Sequence, residues 1–126
     1  MTRLTIRIDF DGERHVGHGK IRLIEMVGEH GSISGAARAM GMSYRRAWLL
    51  LDEVNRMFRE PVVETRLGGK GGGNARLTDF GKGLVELYRT IEIDAARNFE
   101  GRIGELEARL AEVASAVAQG GKPVAL

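Results

Sequence analysis

Leu4, Ile6, Ile8 and Phe10 alternate with Thr5, Arg7 and Asp9 at the start of the chain. A period of two belongs to a strand with one covered face, so a strand is expected here, ending at the Asp11-Gly12 turn. The repeat then becomes helical. From His18 to Glu29, Ile21, Ile24 and Val27 form an apolar stripe with Leu23 and Met26 beside it, and Gly31 is placed to end it. A short alanine-rich helix is expected from Ser32 or Ser34 to Met40, broken by Gly41-Met42. Ser43 suits the N-cap of a third, longer helix reaching about Phe58, with Pro61 just beyond.

Residues 62–67 (Val-Val-Glu-Thr-Arg-Leu) read as a strand, and Ala75-Arg76-Leu77 as its return. Between them, Gly68 to Asn74 holds five glycines and Lys70. Thr78 caps the next helix and Asp79 sits in its first turn, where the dipole favours an anion. The helical pattern continues to about Ala118, and Gly120-Gly121-Lys122-Pro123 stops it before a short tail expected to be disordered. Strand, three helices, hairpin and long helix is the order of a winged helix-turn-helix: mainly α, with a small β-hairpin wing. Residues 1–83 are expected to form the DNA-binding domain and residues 84–126 a helix for dimerisation.

The segment from Ile33 to Leu50 meets four demands of two helices joined at a sharp angle. Ala37 and Ala47 are small where the helices touch, Gly41 tolerates positive φ, and Met40, Met42 and Leu50 plug the angle. On the third helix Ala47, Leu50, Leu51, Val54 and Phe58 share one face, and Arg45, Leu49, Asp52 and Arg56 the opposite one. In this motif the start of the second helix enters the major groove. Ser43, Tyr44, Arg45, Arg46 and Leu49 therefore lead the DNA-binding candidates, with Ser34 at the start of the preceding helix. Trp48 fits core packing as well as DNA contact, and Arg56 fits a phosphate contact or plain exposure.

The glycine-rich tip is not a phosphate-binding P-loop, because Gly71 and not Ser or Thr follows Lys70 and a strand comes next. Ordering so many glycines costs entropy. A polyphosphate backbone meeting the loop's amides offsets that cost, with Arg66, Lys70 and Arg76 supplying charge. A plain mobile hairpin tip is the other reading.

Composition narrows the classes. A chain of 126 residues with 43% hydrophobic positions supports one domain and an appendage. The absence of cysteine excludes a disulfide scaffold, a thiol nucleophile and thiolate metal sites. His15, His18 and His30 lack clustered carboxylates to complete a zinc site, so neither metal nor cofactor is expected, and no enzyme. No apolar run approaches the ~18 residues of a membrane span, and the charged, alternating start is unlike a signal peptide; a cytoplasmic location is expected. Net charge is only +2, but residues 1–83 carry 14 Lys/Arg against 10 Asp/Glu while residues 84–126 carry 5 against 7. The first part suits a polyanion; the second does not.

Gly31-Ser32-Ile33-Ser34, Ala36-Ala37, Ser43-Tyr44 with Ala47-Trp48, the Gly68–Gly73 run and Leu77-Thr78 together resemble the N-terminal DNA-binding domain of ModE-type molybdate-responsive transcriptional regulators. The helix-turn-helix part also looks like LysR-type regulators. The resemblance covers roughly residues 4–99. It implies a dimeric winged helix on a palindromic operator, upstream of molybdate transport or molybdoenzyme genes. ModE proteins sense molybdate through C-terminal oxyanion-binding modules. Here residues 100–126 are a helical tail, so molybdate binding is not expected on this chain.

Leu84, Tyr88, Ile91, Ala95, Phe99, Ile103 and Leu106 recur at spacings of three or four, continued by Leu110, Val113 and Val117. A helix this long cannot bury its stripe on so small a domain, so a second copy is the expected partner. Gly101 and Gly104 weaken it in the middle and are candidate sites for a kink. Folding back on its own domain, or pairing with a longer regulator or another protein, are the alternatives for this stripe.

Overall fold

The computed structural model describes residues 2–66 and 73–112. Its elements run β1 (Ile8–Asp9), β2 (His15–Val16), α1 (His18–His30), α2 (Ile33–Met40), α3 (Tyr44–Met57), β3 (Val63–Arg66), β4 (Asn74–Leu77), α4 (Asp79–Asn98) and α5 (Glu100–Glu107). The strands form two antiparallel pairs, β1 with β2 and β3 with β4.

Each helix junction follows from local chemistry. Gly31 takes φ 71° and returns its N–H to Val27 O at 2.8 Å, ending α1. The Ser32 hydroxyl accepts from the Gly35 N–H at 2.9 Å and starts α2. Gly41, at φ 67°, turns the chain, and the Met42 N–H reaches Ala37 O at 3.0 Å. Ser43 accepts from the Arg46 N–H at 3.1 Å and opens α3. Ala37 and Ala47 are buried where α2 meets α3, with Met40, Met42 and Leu50 packed around them.

The main core joins α1, α2, α3 and the inner face of the β3–β4 hairpin through Leu23, Ile24, Val27, Ala36, Val54, Val63 and Ala75. A second cluster sits beneath the N-terminal hairpin and unites Val16, Ile21, Met57 and Tyr88.

Three expectations need correction. The N-terminal strand is shorter than the alternation suggested. Leu4, Ile6 and Ile8 are half-buried and their neighbours exposed, but only Ile8 and Asp9 find strand partners, Val16 and His15. Ahead of them the chain is held by a side chain instead: the Tyr88 hydroxyl donates to Ile6 O.

That contact carries the second correction. Tyr88 is only 2% exposed and belongs to the chain's own core, so it is not available to a second copy. Leu84 likewise packs, half-buried, against both core clusters. The first turns of α4 are drawn onto the domain because Gly81 lets the helix approach the backbone of Val62. A Cβ at Gly81 would lie 2.1 Å from Val62 O.

Third, the helical run is neither single nor as long as expected. It is interrupted at Phe99 (φ −110°, ψ 12°), two residues before the glycines, and α5 ends at Glu107. Residues 108–112 leave the helix through tighter bonds, from Arg109 N to Leu106 O and from Leu110 N to Glu107 O. Leu106 and Leu110 are 70% and 73% exposed, and a helix end with nothing packed on it is marginal. The expectations for 113–118 and for the tail lie outside the described residues.

Candidate nucleic-acid interface

The start of α3 projects from the domain. Tyr44, Arg45, Arg46 and Leu49 are exposed, as is their cap Ser43, because Ala47, Leu51, Val54 and Met57 take the buried face. Among the described residues neither Arg45 nor Arg46 has an ion-pair partner within 4.0 Å, which leaves both guanidiniums to a ligand.

Beside α3 stands the β3–β4 hairpin, in the register Val63 with Leu77 through Arg66 with Asn74. Asn74, placed in the loop by the sequence reading, is thus a strand residue. The hairpin's position is set by Asn55. Its side-chain oxygen accepts from the N–H groups of Val62 (2.8 Å) and Val63 (3.1 Å), and its amide donates to Val63 O at 3.0 Å. Asn55 is not among the residues that the sequence singles out. The available signal was an amide residue near a helix end just before a strand.

Between hairpin and helix lies a cleft of about 310 Å³ that brings Ser34 and Tyr44 together with Arg66. Trp48, Thr65 and Asn74 also line it, and the last two were not singled out from sequence. Trp48, left between two readings, is exposed at this cleft and outside the core clusters. The cleft's lining thus combines an indole with hydroxyl, amide and guanidinium groups, the kinds of side chain that hydrogen-bond a sugar-phosphate backbone.

Two other arginines are less free. Arg76 lies on the outer face of the hairpin, its Nε 3.2 Å from Glu64 Oε2. Arg56 is paired with Asp52 at 2.9 Å. Lys70 and the glycines at 68–72 lie outside the described residues.

A polar tether fixes α4 to α1. Arg89 donates from two nitrogens to Glu25, at 2.8 and 3.0 Å, and to Glu92 at 2.6 Å. The Arg89 bond holds the Glu25 carboxyl below its usual range, and Glu25 and Glu92 raise Arg89 in return. His18 stands between Arg89 and Arg3, and burial together with these two cations pushes its imidazole down. Lys20, buried under the N-terminal hairpin, donates to His15 O at 3.0 Å and pairs with Glu53. In the β1–β2 turn, Asp11 is lowered to about 2 by the Arg14 side chain and by the backbone N–H groups of Arg14 and Glu13.

A helix-turn-helix with an outward second helix and an adjoining hairpin defines the DNA-binding class called the winged helix. Residues 18–82 match the family described as bacterial regulatory helix-turn-helix protein, lysR family, and the chain belongs to that family. It is 43% identical over 81 residues to the molybdenum-pterin-binding protein MopA of Rhodobacter capsulatus, covering 64% of this chain and 31% of that one. It is 35% identical over 114 residues to the molybdenum transport protein ModE of Azotobacter vinelandii, covering 89% of this chain and 41% of the relative. The chain thus spans well under half the length of these curated relatives. The crystal structure of the CbnR_DBD–DNA complex shares the fold, with a TM-score of 0.53 and 21% identity over 72% of this chain and 97% of that one. The chain is a DNA-binding helix-turn-helix domain of the lysR family of bacterial regulatory proteins, and its similarity to the MopA and ModE relatives includes this domain. No helix among the described residues is long and apolar enough to cross a membrane.

Proposed function

We propose that this chain is a sequence-specific regulator of transcription that binds a palindromic duplex as a homodimer, in the cytoplasm. α3 enters the major groove, and the hairpin follows the backbone. Base edges are read from the start of α3, where an arginine bonds a guanine at two points. Ser43, Tyr44, Arg46, Ser34, Arg66 and Lys70 supply backbone contacts, with Arg76 contributing less because Glu64 offsets its charge. The supporting observation is that Arg45 and Arg46 have no ion-pair partner among the described residues and stand beside a cleft lined by hydroxyl, amide and guanidinium groups.

The relatives' names link them to molybdenum, and we place the target genes in molybdate transport or molybdoenzyme supply. The dimer face we propose is the stripe of α4 and α5 formed by exposed Leu87, Ile91, Phe99 and Leu106 with half-buried Ala95 and Ile103. Two copies joined there double a modest charge and present two reading helices about one turn, ~34 Å, apart.

The test is selection of duplexes from a random-sequence pool, followed by a salt titration of the selected site. An inverted repeat bound with a steep inverse salt dependence is expected. Selection that returns no common sequence, with binding indifferent to salt, overturns the assignment.

A further inference from the structure

α3 turns three large apolar side chains toward solvent: Tyr44, Trp48 and Leu49 are 53%, 44% and 49% exposed. Tyr44 and Trp48 face the hairpin across the cleft. Leu49 stands apart from it, one turn beyond Arg45 on the outward face, with Asp52 three residues further on. A leucine ringed by charged groups gains nothing from water. It gains from a partner that offers an apolar spot on an otherwise hydrogen-bonding surface.

We propose that Leu49 determines specificity by packing on the C5-methyl group of thymine in the major groove. This rests on the placement of α3 given above. The groove presents donors and acceptors on every base pair, and thymine adds a methyl group. Leu49 follows Arg45 by four residues, which is about 6 Å along the helix axis. A guanine read by Arg45 and a thymine read by Leu49 therefore fall within one half-site, about one to two base-pair steps apart. Arg45 and Arg46, without an ion-pair partner among the described residues, make this surface continuous with the proposed polyanion-binding face, which favours DNA over a second protein as its cover.

The probe is the duplex selected by the wild-type chain, with each thymine of the half-sites replaced in turn by deoxyuridine, which removes the methyl group alone. At one position per half-site, or at two neighbouring ones, the replacement is expected to weaken binding about fourfold, the worth of one buried methyl-sized group. Leu49→Ala is expected to bind the thymine duplex about as weakly as wild type binds the uracil one, and to show no further loss with uracil. An exposed leucine replaced by a good helix former leaves the fold intact, and an unchanged thermal melt verifies this. Equal wild-type binding of all thymine and uracil duplexes overturns the proposal, as does a uracil penalty that persists in Leu49→Ala. In either case strong, salt-dependent binding leaves the parent assignment standing. Loss of all duplex selectivity by the wild-type chain overturns both.

Discussion

Asn55 grips both main-chain polar groups of Val63, accepting from its N–H at 3.1 Å and donating to its carbonyl at 3.0 Å. One side chain on the reading helix thereby sets where the wing begins. Asn55→Ala leaves partly buried backbone groups of Val62 and Val63 unmatched. We expect a loss of about 2–3 kcal/mol in urea unfolding and a larger proportional loss in duplex affinity than at an exposed site such as Glu60. Full stability in Asn55→Ala would show that the clasp is incidental.

Two glycines of α4, one half-turn apart, are expected to respond with opposite signs. A Cβ at Gly81 meets Val62 O, whereas one at Gly83 meets nothing within 4 Å. Gly81→Ala must push the helix off the hairpin and should cost about 1–3 kcal/mol. Gly83→Ala removes backbone freedom from the unfolded chain and should gain about 0.5–1 kcal/mol. Paired thermal melts decide this, and a common sign contradicts the packing of α4 described above.

Stability should fall on the acid side in two stages. His18 titrates below its ordinary value because it is partly buried and faces Arg3 and Arg89, with Glu25 and Glu92 opposing. Below pH about 6.5 the unfolded chain takes up a proton on this residue that the folded chain resists. Folding is therefore weakened as pH falls through the ordinary histidine range toward the lowered value in the folded chain. Glu25, held low by Arg89, adds stability that persists above the usual glutamate range and is lost as pH drops through its depressed value. Melting temperatures across pH 3–8 should show both stages, with His18→Gln abolishing the first and sparing the second.

A charge on the outward stripe of α4 should separate the proposed dimer. Ile91→Glu places a carboxylate on an exposed position away from both core clusters, so the monomer fold is preserved. Sedimentation should find wild type as a dimer and the variant as a monomer with an unchanged melt at low concentration. A wild-type monomer at tens of micromolar would rule out pairing through this stripe.

The turn between α2 and α3 was legible in the sequence because its requirements are local. Gly41 answers a positive φ, Ser43 an open N–H, Ala37 and Ala47 a close approach. The exposed start of α3 followed from the same register. What escaped depends on partners distant in the chain. Tyr88 and Ile6 are 82 positions apart, and periodicity puts Tyr88 on a stripe without saying which body covers it. Two-residue strands such as His15-Val16 are too short to form a pattern. The break at Phe99 carries no local marker, since the residues that weaken the helix, Gly101 and Gly104, come after it.

Methylation interference on the selected duplex asks most directly whether α3 occupies the major groove. Methyl groups on guanine N7 within both half-sites should block binding, and Arg45→Ala should remove the effect at one guanine in each. Interference confined to adenine N3 in the minor groove, with every guanine N7 methyl tolerated, would contradict the account.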